Sequence, residues 1–195
     1  EWTWDADGEL YYCQSTYDAV TEEDALDAEG ADAEDLDEGC NGFGWSWIRE
    51  SLDIDGSWVD AWGYSQDIDP FYWNDFTITQ ANNDEGWLVA QNAEDADWSP
   101  GLWSKFEWTW DADGELYYCQ STYDAATEED ALDAEGADAD DLVEGCNGFG
   151  WSWIRESLDI DGSWVDEYDT SHEVSPFEWS TSSTWGTSLY HVTDY

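Results

Sequence analysis

The chain has 195 residues, enough for one large or two small domains. Fifty acidic side chains face three basic ones, a formal charge of −47. This excludes the phosphate backbone of a nucleic acid as a direct partner, because displacing its counterions takes Lys or Arg. The same balance disfavours anionic membrane surfaces, and no run approaches the roughly 18 apolar residues of a membrane-spanning helix.

Acidity with few aromatics reads as disorder, yet this chain carries 17 Trp, 11 Tyr and 6 Phe. Each ring can bury roughly 150–250 Å², so a folded chain with a carboxylate coat is expected. Such a coat repels itself unless screened by salt, divalent cations or basic partners. Screening shortens to roughly 3 Å at about 1 M salt, which suits a halophilic setting. The chain starts at Glu1 and contains no Met. It is therefore expected to be a mature, processed chain.

In chain order, Glu1–Trp4, the Asp5-Ala6-Asp7-Gly8 turn and Glu9–Cys13 read as strand, turn, strand. Thr21 followed by Asp24 marks a helix start, and Thr21–Glu38 is expected to hold one or two short, weak helices. Phe43, Trp45 and Trp47 alternate as a strand does, and Ile48–Ile54 continues it. Asp55-Gly56 then reads as a two-residue hairpin turn, with Ser57–Trp62 as the returning strand. Phe71–Thr79 and Gly86–Gln91 are further strands, and Ser99-Pro100-Gly101 is a turn.

Residues 1–60 then return as 107–166. Only Val20/Ala126, Glu34/Asp140 and Asp37/Val143 differ. The offset persists through Pro70, Phe71 and Trp73 against Pro176, Phe177 and Trp179, after which the copies diverge. The expected fold is mainly β, with two tandem homologous β-sandwich-like modules. The first covers 1–106. The second covers 107–195 and ends in a divergent Ser/Thr-rich tail whose Ser180–Thr184 could carry O-linked sugars. Each module has a short acidic helical segment and one disulfide. Duplication points to Cys13–Cys40 and Cys119–Cys146, since a module must close within itself. Disulfides imply an oxidising, extracellular compartment.

Four D-x-D-G sequences place Asp5, Asp7, Asp53, Asp55, Asp111, Asp113, Asp159 and Asp161 beside turn glycines. Calcium loops use this order, so these sequences read either as ordinary Asp-Gly turns or as Ca²⁺ ligands, the one cofactor considered, although the twelfth-position Glu of an EF-hand is missing. Arg49 and Arg155 stand next to Trp47 and Trp153, where an ion pair or ring stacking is expected. Trp2, Trp4, Trp45, Trp47, Trp58 and Trp62 are candidate glycan or subunit contacts, beyond those needed for cores. Carboxylate pairs are uninformative among fifty acids, and His172 and His191, the two histidines, both lie in the divergent tail. No enzyme is expected. The preferred reading is a secreted structural protein. It would self-associate into an extracellular filament, pilus-like fibre or surface layer through aromatic-rich edges. The alternatives are a carbohydrate-binding or adhesin module pair and an acidic mimic of nucleic acid.

Overall fold

The computed structural model describes residues 1–6, 8–28, 30–183 and 186–191, with backbone only at 183, 186 and 189–191. The chain divides into two compact units, Glu1–Glu50 and Ser51–Tyr195.

The first unit is a three-stranded antiparallel sheet, β1 (Trp2–Trp4), β2 (Leu10–Tyr12) and β3 (Ser46–Ile48), in that order. Trp2 pairs with Tyr12, and Leu10 with Ile48. Helix α1 (Glu22–Leu26) begins where the sequence marks it. The Thr21 side chain accepts from the Asp24 amide and Asp24 returns a bond to the Thr21 amide. The disulfide Cys13–Cys40 closes the acidic segment. Cys13, Cys40 and Trp45 are buried together, with Tyr11, Ala31 and Leu36 against them. The Trp45 indole donates to the Asp32 carbonyl at 3.1 Å, so this core has no unpaired indole N–H.

The second unit holds a closed eight-stranded barrel. The first copy contributes β4 (Gly56–Asp60), β5 (Ser65–Ile68), β6 (Tyr72–Trp73), β7 (Phe76–Asn82) and β8 (Trp87–Gln91). The second copy contributes half of β9 (Trp103–Trp110) and all of β10 (Leu116–Ala125) and β11 (Ser152–Glu156). Neighbours around the wall run β10-β11-β4-β5-β6-β7-β8-β9, all antiparallel. Closure removes every open edge from this body. Its core joins Leu52, Ile54, Ile68, Trp73 and Phe106 from the first copy to Trp108, Leu116 and Ile154 from the second. Gly86, at φ +67°, permits close approach at the β8–β9 seam. A Cβ there would stand 2.6 Å from the Trp108 carbonyl.

Helix α2 (Glu128–Leu132) repeats α1 but packs on the barrel through buried Ala131. Lys105 donates to the Leu132 and Ala134 carbonyls at its C-terminal end, where a cation complements the helix dipole. The disulfide Cys119–Cys146 closes the second acidic segment. The remaining strands, β12 (Gly162–Val165), β13 (Ser171–Val174), β14 (Glu178–Ser183) and β15 (Gly186–His191), form a four-stranded antiparallel sheet in chain order.

The mainly β class and one disulfide per copy are therefore as expected. The sheets, however, are a barrel and two separate smaller sheets in place of a pair of sandwiches. The repeat boundary at 106/107 falls inside β9. The expected Asp55-Gly56 hairpin is also corrected. Leu52–Asp55 is itself a turn, closed by the Asp55 amide on the Leu52 carbonyl at 3.1 Å. β4 pairs with β11 and β5, and not with residues 48–54. The alternation of Leu52 and Ile54 reflects two apolar side chains inserted into the barrel, both buried, rather than a strand face.

Candidate functional site

The two smaller sheets are copies of barrel parts. β1–β3 repeat the end of β9, the start of β10 and β11, and β12–β14 repeat β4–β6. The same side chains consequently have two environments. Trp108 is 4% exposed and its counterpart Trp2 is 70% exposed. Ile54 and Trp73 are 0% and 1% exposed, whereas Ile160 and Trp179 are 47% and 39%. Isolated exposed apolar residues are ordinary, but a face whose identical copy forms a core is a candidate interaction surface.

On the C-terminal sheet, Ile160, Trp164, Val165, Val174 and Trp179 line an open apolar groove of about 240 Å³. Asp166 and His172 sit at its polar side. Both copies build a polar relay here. In the barrel, the Trp73 indole donates to Gln66 Oε1 at 2.9 Å, and Gln66 Nε2 lies 3.5 Å from buried Asp60. Asp60 Oδ1 also accepts from the Trp62 and Tyr64 amides. In the C-terminal sheet, Trp179 donates to His172 Nδ1 at 3.1 Å and His172 Nε2 lies 3.3 Å from Asp166. The Tyr168 and Thr170 amides bond Asp166 Oδ1 and hold its carboxyl below the usual carboxylate range, with His172 adding to the effect.

Tyr118 completes the barrel relay by bonding Asp60. Burial, reinforced by the Asp60 charge, pushes its hydroxyl up to about 12 from an ordinary value of 10.0. The unfolded chain ionises this group first, so its stabilising contribution is complete below pH ~10 and is lost as pH rises through ~12. At about 1.4 kcal/mol per unit, the loss is about 3 kcal/mol. A urea midpoint measured from pH 9 to 12 is expected to fall steeply above pH 10, and Tyr118→Phe should flatten the fall. An unchanged profile in the variant would show that Tyr118 does not cause it.

The arginines do both expected things at once. Arg155 lies 4.1 Å from the Trp153 ring centroid, contacts Glu115 at 3.2 Å and donates to the Pro176 carbonyl at 3.2 Å. Trp153 donates to the same Glu115 at 2.7 Å. In the first unit Arg49 stacks on Trp47 at 3.8 Å and faces Glu9 at 3.9 Å, and Trp47 donates to Glu9. Phe177 edges onto Trp153, so Arg155 ties the C-terminal sheet to the outer wall of the barrel.

A second groove, of about 540 Å³, lies where Trp58 and Trp110 meet Glu115, Glu156 and Asp159. The candidate tryptophans thus separate. Trp2, Trp4 and Trp62 are exposed, Trp45 is core, Trp47 lies under Arg49, and Trp58 lines this groove while bonding the Ile54 carbonyl.

The D-x-D-G aspartates are spread over separate turns. Asp5 accepts from the Glu9 amide, and Asp111 from the Asp113 and Glu115 amides. The Asp53 amide bonds the Asn83 side chain, and Asp161 accepts from the Leu158 amide. Asp55 is held above the usual carboxylate range, chiefly by burial. Asp159 borders the second groove. Asp7 lies outside the described residues, as do Thr184 of the Ser180–Thr184 stretch and residues 192–195 of the tail. Among the described residues, no three His, Cys, Asp or Glu side chains converge as a metal cage, and no helix is long and apolar enough to cross a membrane.

Sequence reasoning missed the Gln66/His172 relay, because neither residue carries a motif. Its one trace was the shared Pro-Phe-x-Trp at 70–73 and 176–179. Compared with known proteins, the chain matches no family model, no curated protein and no solved structure.

Proposed function

We propose that the protein is a secreted structural subunit that self-associates into an extracellular filament, fibre or layer, with its two homologous copies, 1–106 and 107–195, as the repeating modules. One observation carries the reading. Side chains buried in the barrel as Ile54, Trp73 and Trp108 are repeated, exposed, as Ile160, Trp179 and Trp2 on the two smaller sheets. Two disulfides support an oxidising, extracellular setting. Subunits at −47 repel one another, so salt or a divalent cation such as Ca²⁺ supplies the counter-charge in this reading, without a dedicated cage.

The test is sedimentation and negative-stain electron microscopy of the purified chain across salt and calcium. Filaments or sheets should appear with rising concentration at about 1 M salt, where screening is nearly complete, and retreat at low salt. A single monomeric species under all these conditions would remove the proposal.

The groove at Trp58 and Trp110 favours a second reading, carbohydrate binding. Rings can stack on a sugar face there while Glu115, Glu156 and Asp159 accept from hydroxyls. Retardation on a polysaccharide affinity gel that Trp110→Ala abolishes is the outcome that would favour it.

A further inference from the structure

We propose that the N-terminal sheet of one copy of this chain adds edge to edge onto the C-terminal sheet of a second copy. β3 of one pairs antiparallel with β12 of the other, in the register that β11 and β4 use inside the barrel. The inference rests on the self-association reading above and names its junction.

The barrel supplies the template. β11 has the sequence Ser-Trp-Ile-Arg-Glu and β4 the sequence Gly-Ser-Trp-Val-Asp. Residues 46–50 and 162–166 repeat both segments without a change. In the barrel Ile154 faces Asp60, Arg155 faces Val59, and Glu156 faces Trp58. The Ser157 amide then donates to the Ser57 carbonyl at 3.0 Å. Transferred to the repeats, Ile48 of one copy meets Asp166 of the next, Arg49 meets Val165, Glu50 meets Trp164 and Ser51 meets Ser163. β3 and β12 each stand at one end of their sheet in the observed order. β3 ends at Ile48, whereas β11 runs two residues further along β4. A strand edge is a template for pairing with another chain.

The side chains on the two edges match as well as the backbones. Ile160, Trp164, Val174 and Trp179 of the groove repeat Ile54, Trp58, Ile68 and Trp73, which pack with Trp108, Leu116 and Ile154 in the barrel core. The incoming sheet presents the same three residue types as Trp2, Leu10 and Ile48. The polar relay fits too. Asp166 already has two backbone donors and His172, and the member it lacks relative to Asp60 is the tyrosine. Tyr12, the repeat of Tyr118, is exposed on β2. A second copy of the chain carries all of these groups in one place, so it is the occupant that the seam specifies.

The test uses the full chain with its native disulfides. Ser51→Cys and Ser163→Cys are made in separate proteins, then mixed at about 1 M salt under mild oxidation. Directly opposed residues in a hydrogen-bonded antiparallel pair are about 5.5 Å apart at Cα, within disulfide range. The mixture should give a covalent dimer bridged between position 51 of one copy and position 163 of the other, and neither variant alone should do so. A further variant, Val165→Pro, probes the backbone. The Ala61 amide bonds the Trp153 carbonyl, so by alternation the Val59 N–H faces β11 and that of Val165 faces outward from β12. Proline is tolerated at such an outward position. V165P should keep the near-ultraviolet dichroism of the barrel and lose the 51–163 bridge.

Filaments without that bridge would overturn this junction while leaving self-association standing. Absence of both filaments and bridge would overturn self-association itself. A chain carrying both cysteines that closes on itself at every dilution, with no covalent dimer, would make the occupant its own other end and overturn the proposal. Assembly of V165P equal to that of the unaltered chain would do the same.

Discussion

A fragment of residues 51–157 will fold as a monomer with a cooperative thermal transition, and a fragment of residues 1–106 will not, although 1–106 is the unit that the sequence repeats. The limits of the barrel explain why. Its core residues run from Leu52 to Ile154, and its disulfide joins Cys119 to Cys146, so the first fragment contains all of them. The second fragment keeps β4–β8 but loses β10, β11 and the half of β9 that carries Trp108. Trp108, Leu116 and Ile154 are then absent from the core; their repeats Trp2, Leu10 and Ile48 remain in the fragment, but on the separate sheet β1–β3, and β1 is not joined to Phe106 by the chain as residue 107 is. Burying a large apolar side chain contributes about 1.5–3 kcal/mol, and small domains are stable by only about 5–15 kcal/mol. Three such losses, together with an opened sheet, exceed what the remaining strands can supply. Near-ultraviolet circular dichroism during heating, at concentrations where light scattering reports monomer, is the measurement. Equal cooperative transitions in both fragments would mean that the barrel is not the folding unit.

The second large effect separates two tryptophans that the repeat makes equivalent. Trp73→Ala is expected to cost about 3–5 kcal/mol, the range for deleting a buried Trp. Trp73 stacks on Phe106 at 4.5 Å, tilts against Tyr118 at 5.4 Å and donates to Gln66. Its removal empties the centre of the barrel and leaves the Gln66 acceptor without its indole donor. Trp179→Ala, in the same Pro-Phe-x-Trp setting, should cost about 1 kcal/mol or less in the monomer, because its ring is already partly in water. Urea denaturation of the two variants under monomeric conditions gives the comparison. Similar losses would show that the C-terminal sheet buries Trp179 in solution, contrary to the structure.

Much of the local structure was legible. The capping pair at Thr21 and Asp24 marked α1 because its bonds span three residues. The pairing of Cys13 with Cys40 and Cys119 with Cys146 followed from duplication alone. The aromatic stretches at 2–4, 10–12, 72–79 and 87–91 read as strands and largely are. Arg49 and Arg155 found the ring and the carboxylate expected of the only cations in the repeated block. Where the reading went astray, at Ile48–Gly56, two alternating apolar residues imitated a strand face while serving as core side chains. Alternation reports which residues seek burial, and a turn can place them inside as well as a strand can. The dispersed D-x-D-G aspartates show a related gap, since local order in the chain does not say which carboxylates converge.

The sequence by itself determined that this protein is a folded, acidic, duplicated β-rich chain with a disulfide in each copy. Each of those properties rests on composition or on contacts within a short stretch. Only the tertiary structure decided which strands are neighbours. Because residues 1–60 and 107–166 are nearly identical, each half-module has two chemically equivalent partners, and no local pattern distinguishes them. In the folded chain the second half of the first copy closes on the first half of the second, and the two outer halves keep strand edges. Strand pairing is made through backbone groups that every residue shares, so its register and partner emerge from closing the barrel around a common core rather than from the sequence of either strand.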